Sequence, residues 1–385
     1  MSRPSPDPLF RALSRRSLLR GVAAGAAGAL LVGCGGYPAE EGAAYHPWRF
    51  PEGEAAPERV AAAAAILASN PHNTQPWLFA IAPERVDVFA DPAKSLGAMD
   101  PLAREMHLGL GCALENLVLA ARAHGREPTV ALLPDPGDRA HVARVELAPA
   151  EPQASLLYEM IPERHTNRGP YLDAPPPEGL EAQLRELAGS DAALTFLESD
   201  ADKAAFRDAT LDATRAIIDD VEMREASHVW YRHSADEIRR HRDGTTLDAT
   251  GNGAAIRALG KRTARPGAKT AANFWLTATR TTQTRASAFV ILSTDARDDR
   301  AQQLRCGRAY QRMHLWATSE GLAVQPLNQL AERQDREQEL ALAPEMTERL
   351  EALAGRPGAQ FLFRIGVPWE DAFASPRRPL EWVTR

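Results

Sequence analysis

The sequence predicts an α+β fold built from two tandem halves within one chain of 385 residues. Segments with helical periodicity alternate with short apolar runs typical of strands, and this mixture predicts packed layers of helices and sheet. The segment from Gly111 to Gly125 aligns with the segment from Gly307 to Gly321 at a constant offset of 196 residues. Because whole elements repeat, the alignment indicates an internal duplication.

The first half is predicted to occupy residues 59–160. A helix is predicted from Arg59 to Ala68. A longer helix is predicted from Leu102 to His124, where apolar residues recur three and four positions apart until Gly125 ends the pattern. Four apolar or alternating runs predict strands, at 77–82, 85–90, 129–133 and 142–147.

The second half, residues 161–385, is predicted to repeat this order with insertions, and a break at Pro175 to Pro177 lies near its start. The strand and turn from Thr282 to Val290 are expected to match those from Thr74 to Ile81. An insertion is expected at about residues 225–265. Helices are predicted at 153–163, 180–187, 200–232, 301–320 and 346–354, and strands at 194–197, 287–294 and 360–367.

The N-terminus is predicted to be an export signal, residues 1–33, followed by a tether, residues 34–58. Arg15 and Arg16 precede a weakly apolar run from Gly21 to Gly33, which is shorter than the ~20 residues that span a bilayer. These features resemble a twin-arginine signal, a route that exports folded proteins with a cofactor already inserted.

A possible lipid-attachment site ends the signal. Leu31 to Cys34 resemble a bacterial lipobox, which implies cleavage before Cys34 and lipidation of its thiol. The expected location is then a bacterial membrane, with the protein lipid-anchored and facing the periplasm or cell exterior. The alternative is an ordinary cleaved signal with an incidental cysteine.

The charge balance excludes some partner classes. The formal net charge is −6, and residues 1–33 contribute +4, so the rest of the chain carries −10. An acidic surface argues against nucleic-acid binding, which needs a basic face. It also argues against docking to a membrane by charge, which leaves the predicted lipid as the anchor.

Neither a disulfide framework nor a metal centre is expected. Beyond Cys34 only Cys112 and Cys306 remain, and whether they pair is open. His228, His233 and His241 are spaced unlike any standard metal site and are expected on a solvated helix face.

Three segments carry polar residues suited to a planar ligand with a phosphate. The loop from Ser69 to Trp77 offers hydroxyl and amide groups that both donate and accept, between prolines that fix its backbone. Arg164 to Arg168 place two guanidinium groups around a hydroxyl, an arrangement that clamps phosphate. Arg377 and Arg378 add charge near the C-terminus. The alternatives are a proline-rich connection, a solvated basic turn and a frayed tail.

Together with Gly321 to Leu327, these segments resemble motifs of the nitroreductase family, and the duplication resembles its Acg-like branch. The resemblance implies bound FMN. Ser69, Asn70, Asn73 and Gln75 would bind the flavin ring and ribityl chain, and Arg164, His165 and Thr166 the phosphate. Arg168 would lie at the ring edge, and Arg377 and Arg378 would return to the phosphate. The backbone of Gln325, Pro326 and Leu327 would approach the ring nitrogen that accepts hydride.

The resemblance also implies an arrangement within the chain. Ordinary family members are homodimers with two shared sites, so two fused halves form a pseudo-dimer. The first half offers only Tyr45 to Arg49 for an arginine signature, and the second offers Thr281 to Thr284 for an amide loop. One FMN per chain is therefore expected. The insertion at 225–265 is expected to cover the flavin as a lid. Leu327 and Asn328 replace the family's usual Glu-Gly, which weakens the expected amide contact.

The expected function is ping-pong reduction of nitroaromatic or quinone-type acceptors by an FMN-dependent oxidoreductase, with no catalytic side chain required. NAD(P)H, a quinol and a partner protein remain open as the electron donor, since an exported protein meets little NAD(P)H. One alternative is a non-catalytic protein that sequesters FMN beneath the lid. Another is a cofactor-free protein that uses the fold as a scaffold.

Overall fold

The computed structural model describes residues 37–51 and 56–385. The predicted export signal and Cys34 lie outside the described residues. Residues 37–51 were predicted to be a tether, and the structure corrects this prediction. Ala44 and Tyr45 are buried against Ile238 and Ala374, so apolar contacts fix this segment onto the folded body.

The first half consists of helices and one antiparallel sheet. In chain order its elements are α1 Pro57–Ala65, β1 Trp77–Ala82, β2 Arg85–Ala90, α2 Arg104–Ala123, β3 Arg126–Leu132, β4 His141–Pro149 and α3 Leu156–Glu159. The strands lie in the order β1-β2-β4-β3, and every neighbouring pair is antiparallel. The helix predicted at 153–163 is reduced to the single turn of α3.

The second half contains a sheet of the same design, interrupted by helical insertions. Its elements are α4 Leu180–Ala188, β5 Ala193–Leu197, α5 Asp200–Asp219, α6 Val221–His228, β6 Tyr231–Arg232, α7 Ala235–His241, β7 Thr245–Thr246, α8 Ala254–Gly260, α9 Ala268–Ala278, β8 Ala288–Ser293, α10 Arg300–Ser319, β9 Ala323–Pro326, α11 Gln329–Leu340, α12 Glu345–Ala354 and β10 Ala359–Gly366. The second sheet has the order β5-β8-β10-β9, again antiparallel.

The duplication extends to topology, which confirms the α+β fold of two tandem halves. The two sheets match strand for strand, and α2 and α10 begin and end at the same offset of 196 residues. One detail of the prediction was wrong. Residues 282–290 were matched to β1, but β8 occupies the position of β2. The position of β1 belongs to β5, which the insertion separates from β8 in sequence.

The core lies where the halves meet. The helices α2 and α10 pack against each other, and the largest hydrophobic cluster draws on both sheets and both helices, including Phe79, Leu110, Leu315 and Phe363. Cys112 and Cys306 are buried in this core as free thiols. The halves therefore share their largest hydrophobic cluster.

The insertion is longer and more divided than predicted. The helix predicted at 200–232 breaks at Asp220, whose carboxylate caps α6 by accepting from the N–H groups of Glu222 and Met223. The inserted segment then runs through α9 to a π-helical turn, Thr279–Gln283, rather than ending at 265. Within the described part of the chain, each helix is too short or too polar to cross a membrane.

Candidate functional site

A cavity of about 1140 Å³ lies between the halves and beneath the insertion. The first half contributes Ser69, Asn70 and the start of α2, and the second contributes residues 166–170 and 325–329. The insertion supplies most of the remaining wall, mainly apolar side chains of α8 and α9. Residues of the insertion therefore line the same cavity as residues of the loop after α1 and of the segment 166–170.

A small polar pocket of about 30 Å³ adjoins this cavity. Ser69, Asn70, Thr166 and Arg168 line both spaces, so the two are contiguous. The remaining lining residues of the small pocket are Trp48, Asn73, Arg164, His165, Ser375 and Arg377. The structure therefore brings together four segments that are far apart in sequence, at residues 48, 69–73, 164–168 and 375–377.

Two buried guanidinium groups dominate the small pocket. Arg164 is 2% exposed and Arg377 is 3% exposed. Arg164 donates to Ser69 Oγ at 2.9 Å and to the Leu67 carbonyl at 3.0 Å. Arg377 donates to the Asn73 side chain and to the Ala68 carbonyl at 3.2 Å. All these acceptors are neutral, and the Nε–H group of each arginine has no partner within residues 37–51 and 56–385.

The charges of these two arginines are not compensated. Across the described ranges, neither guanidinium forms an ion pair with a carboxylate. Burial lowers the pKa of Arg164 to about 10, and burial together with the charge of Arg164 lowers the pKa of Arg377. Burying a cation without a counter-charge is unfavourable. The pocket is therefore suited to a small anion such as a phosphate group.

Two neutral imidazoles lie at the pocket: His165 lines it, and His314 lies behind it in contact with Ser69. Burial, reinforced by the arginine charges, lowers the pKa of His165 to about 3 and that of His314 well below its usual range. His314 Nδ1 lies 3.2 Å from both Ser69 Oγ and the Tyr310 hydroxyl. His165 packs edge-on against Trp48, with 4.5 Å between ring centroids.

Trp48 in the pocket lining, and Tyr310 and His314 behind Ser69, were not predicted to contribute to the site. Trp48 was noted only as part of a degenerate arginine signature, yet its ring also lies 4.7 Å from the Arg377 guanidinium. Tyr310 and His314 are separated by one helical turn of α10, a spacing that places them on one face. That spacing was visible in the sequence, but nothing in it indicated which surface they would face.

The loop after α1 is held in an unusual conformation by its own amide groups. His72, Asn73 and Gln75 all have positive φ angles near +50°. Asn70 Oδ1 accepts from the Gln75 N–H at 2.8 Å, and Asn70 Nδ2 donates to the Ala68 carbonyl at 3.0 Å. Positive φ is costly for residues other than glycine, so these hydrogen bonds offset local strain and hold Ser69 at the edge of the pocket.

Two residues predicted to bind the cofactor lie elsewhere. Gln75 and Arg378 line neither space. Gln75 Nε2 donates to the Arg242 carbonyl, and Gln75 Oε1 accepts from the Arg378 N–H, both at 2.8 Å. Because these polar groups are already paired, the two residues fasten the C-terminal segment and the insertion to the loop. Asn73 lines the pocket and also donates to carbonyls of Gly244 and Pro376.

The remaining predicted residues line the large cavity. Arg168 donates to the Ala249 carbonyl at 3.0 Å, and Thr166 lies beside it. Gln325, Pro326 and Leu327 form part of the same wall. The Leu327 N–H donates to the Leu362 carbonyl at 2.8 Å. This N–H group is therefore already paired within the protein and is not free for the expected contact with the flavin.

Two buried carboxyl groups on the cavity wall were also missed. Glu105, at the start of α2, and Glu332, on α11, both line the cavity. Burial raises the pKa of Glu105 to about 7, and burial with the nearby charge of Glu105 raises the pKa of Glu332 well above its usual range. This wall therefore supplies one carboxyl group, Glu105, that changes protonation near neutral pH, and a second, Glu332, whose protonated form burial favours.

Two further contacts fasten the insertion over the cavity. His72 Nε2 is 2.9 Å from Ser227 Oγ, and the Gly244 N–H donates to the Asn73 carbonyl at 2.9 Å. Gly251 lies against the Arg168 backbone without room for a side chain. No group of three His, Cys, Asp or Glu side chains within the described ranges is arranged to hold a metal ion.

Comparison with known proteins supports the family resemblance, although no protein-family model matches the chain. The chain is 29% identical over 337 residues to "Putative NAD(P)H nitroreductase Rv3131" of Mycobacterium tuberculosis, covering 86% of this chain and 89% of that protein. "Putative NAD(P)H nitroreductase acg" of the same species is 32% identical over 130 residues, 33% of this chain and 39% of that protein. The similarity to the first relative extends across both halves.

Solved nitroreductase structures give weaker matches. The FMN-dependent nitroreductase NfnB from Mycobacterium smegmatis, in complex with NADPH, has a TM-score of 0.38 and 17% identity, covering 60% of this chain and 97% of that chain. The nitroreductase with bound FMN from Bacteroides fragilis has a TM-score of 0.35 and 17% identity, covering 58% of this chain and 95% of that chain.

Proposed function

We propose that this protein is an FMN-dependent oxidoreductase of the nitroreductase type, with one FMN per chain. The observation that carries the proposal is the carboxylate-free pair Arg164 and Arg377, buried in a polar pocket that opens into a cavity of about 1140 Å³. The pocket fits a phosphate, and the cavity has room for a ring system. The relatives named as NAD(P)H nitroreductases support the same class of reaction.

Each part of the chain has a role in this proposal. Arg164, Arg377 and the Ser69 hydroxyl hold the phosphate, and Thr166 and Arg168 line the passage toward the ring. The apolar wall of the insertion excludes water from the cavity. Bound FMN supplies reversible two-electron redox chemistry. Glu105 and Glu332 hold protons at the far wall, where an acceptor that gains electrons also needs protons.

The acceptor class is proposed as nitroaromatic or quinone-type. Such molecules are planar and largely apolar, which suits the space bordered by α8 and α9. The electron donor is proposed to be NAD(P)H where the protein is in a compartment that contains it. In a compartment without NAD(P)H, the proposed donor is a quinol or a partner protein.

The location is also a proposal. The twin arginines and the lipobox-like sequence ending at Cys34 support export in a folded state and anchoring by a lipid. Intact-mass measurement of protein from a membrane fraction tests this. A diacylglyceryl mass on a chain beginning at Cys34 supports anchoring, and a chain cleaved elsewhere without added lipid contradicts it.

The central test is flavin content. Arg164→Ala is expected to lose bound FMN, because its guanidinium is buried in the pocket without a carboxylate partner. Arg122→Ala removes an exposed arginine that pairs with Glu127 on the surface, and serves as the matched control. Flavin released by acid is measured by fluorescence per mole of folded protein. If Arg164→Ala retains as much FMN as the control, the phosphate site is assigned to the wrong residues.

A second candidate, sequestration of FMN without turnover, is favoured by the fastenings of the insertion at His72 and Gly244. An anaerobic visible spectrum before and after NADPH separates the candidates. Bleaching of the flavin band supports the reductase. A band that persists with NADPH and with a quinol supports sequestration.

A further inference from the structure

The insertion contains a basic segment in an otherwise acidic protein. Residues 249–294 include seven lysines and arginines and no aspartate or glutamate, although the whole chain has a net charge of −6. This segment includes α8 and α9. Arg257 and Lys261 pair with Asp248, which lies directly before the segment, so the effective local excess is smaller than seven charges. The net charge of the whole chain, which argued against membrane docking by charge, does not show this excess.

The same segment exposes large apolar side chains at the cavity. Ile256, Leu259 and Phe274, together with Trp369 from the C-terminal region, are between 59% and 67% exposed. All four also line the large cavity. A side chain that both lines a cavity and remains exposed lies where that cavity opens. The mouth is therefore surrounded by an apolar rim that protein packing leaves uncovered.

The same segment also carries exposed cations. Arg265, Lys269 and Arg280 are exposed, and each is next in sequence to a residue that lines the cavity. Lys269 and Arg280 form no ion pair within the described part of the chain, whereas Arg265 pairs with Glu237 at 3.2 Å. Two acidic residues partly offset this positive charge, because Glu370 and Asp371 are exposed next to Trp369 in sequence.

We propose that this face docks onto an anionic lipid bilayer, with the cavity mouth directed toward the acyl chains. Exposed aromatic and aliphatic side chains flanked by lysine and arginine are the features by which proteins lie in a membrane interface. Both features occur here on one inserted segment. Docking does not depend on a bound cofactor.

The docked orientation has a consequence for the substrate, which rests on the proposed function. A mouth that opens into the bilayer admits molecules dissolved in lipid without passage through water. Among acceptors of the proposed reaction, this favours a lipophilic quinone over a polar nitroaromatic compound.

The test places a probe on the rim. The full chain carries Cys34→Ser, and the buried Cys112 and Cys306 are left in place. An environment-sensitive fluorophore is attached at Phe274→Cys and, as the control, at Leu156→Cys, an exposed apolar site outside the cavity. The N-terminal signal is the same in both proteins, so any binding that it causes affects both equally.

Vesicles of phosphatidylcholine with an equal share of phosphatidylglycerol are compared with phosphatidylcholine alone. We expect the Phe274 probe to brighten, shift to the blue and be quenched by brominated lipid on the anionic vesicles, while the Leu156 probe stays in water. An equal response at the two sites, or no response at either, overturns the proposal.

The charge contribution has its own variant. Lys269→Gln with Arg280→Gln is expected to weaken partitioning of the Phe274-labelled protein to anionic vesicles by roughly tenfold or more, because each cation near such a surface contributes about fivefold. Arg122→Gln with Arg207→Gln removes the same charge from exposed sites outside the cavity. If the two double variants lose affinity equally, the attraction is due to total charge, and the docking face is wrong.

The quinone consequence is tested separately. Substrate preference is measured with a long-chain quinone in anionic vesicles and with a soluble nitroaromatic compound. If the flavin is bound and docking occurs without any advantage for the quinone, only the substrate inference fails. If flavin is absent, the proposed function fails while docking stands.

Discussion

Gly111 and Gly307 face each other at the crossing of the two long helices, and they are equivalent positions of the duplication. A Cβ atom on Gly111 would clash with the Leu304 carbonyl and lie 3.1 Å from the Gly307 Cα atom. A Cβ atom on Gly307 would clash with the Leu108 carbonyl. Leu108 and Leu304 are again related by 196 residues. The closest contact on each side therefore obeys the internal two-fold symmetry.

Gly111→Ala should destabilise the protein by about 3 kcal/mol, because two helix backbones would have to separate within a shared core. Gly307→Ala should cost a similar amount, since its surroundings repeat those of Gly111. Gly267→Ala has open space around its Cβ and serves as the control. Urea unfolding monitored by circular dichroism measures all three. A loss below 1 kcal/mol at Gly111 would show that the helices separate easily.

The internal duplication was predictable because each copy of the repeated helix, α2 or α10, is one uninterrupted stretch of sequence. Two helices of equal length with glycines at matching positions leave a pattern that one sequence can show. The place of β5 was not predictable in the same way, since an insertion of many residues separates it from its partner strand β8. Strands that are adjacent in the sheet are then not adjacent along the chain.

Helix α11 shows a second limit. Its sequence is strongly polar, which hides the periodicity that usually reveals a helix. Much of it is nevertheless buried, because ion pairs replace apolar contacts. Asp335 accepts from Arg104 at 2.8 Å and pairs with Arg297. Hydrophobic pattern alone cannot predict burial that depends on charges supplied by other segments.

The arginine signature was predictable, whereas its surroundings were not. Arg164 was identified from a local motif, and Arg377 from a separate one. Their mutual approach depends on the fold, as does the packing of Trp48 against His165. Gln75 was misplaced for the opposite reason. The motif indicated that the Gln75 amide could form hydrogen bonds. It did not indicate that the backbone groups of Arg378 and Arg242 would be the partners of that amide.

Inorganic phosphate should stabilise the cofactor-free protein, because it supplies the missing counter-charge in the pocket. At a concentration a hundredfold above its Kd the gain is about 2.7 kcal/mol. Differential scanning calorimetry in phosphate and in chloride of equal ionic strength measures the shift in Tm. Arg377→Gln should abolish the difference between the two salts, and Arg122→Gln should preserve it. A phosphate response that survives Arg377→Gln would place the anion elsewhere.

Stability should fall as the pH drops below about 6.5, partly because of His107. This side chain is buried and accepts a hydrogen bond from Arg300 Nε at 3.0 Å, so its Nε2 atom must be unprotonated. Burial, followed by the charge of Arg300, lowers the pKa of His107 to about 4. Because the unfolded chain binds this proton near pH 6.5, the stabilisation is present above that value and is lost toward pH 4.

The change assigned to His107 between pH 6.5 and 5 is about 2 kcal/mol. His107→Gln keeps a polar acceptor and should flatten that part of the profile. His241→Gln alters an exposed residue and should leave it unchanged. Urea unfolding at several pH values gives both slopes. Parallel profiles for wild type and His107→Gln would mean that other groups carry the acid sensitivity.

Gly251→Ala should weaken cofactor binding, because Gly251 belongs to the insertion and packs against the backbone of Arg168. Gly251 has a φ of +76°, and an added Cβ would clash with the Arg168 carbonyl. The alanine would therefore push either the insertion or the Arg168 backbone away from the cavity. Gly253→Ala, two residues later, has open space and an ordinary φ, which makes it a close control.

We expect FMN affinity, measured by fluorescence titration of the cofactor-free protein, to fall by about tenfold in Gly251→Ala alone. If FMN affinity is unchanged while hydrogen exchange in residues 221–283 increases, Gly251 shapes the lid without reaching the bound cofactor.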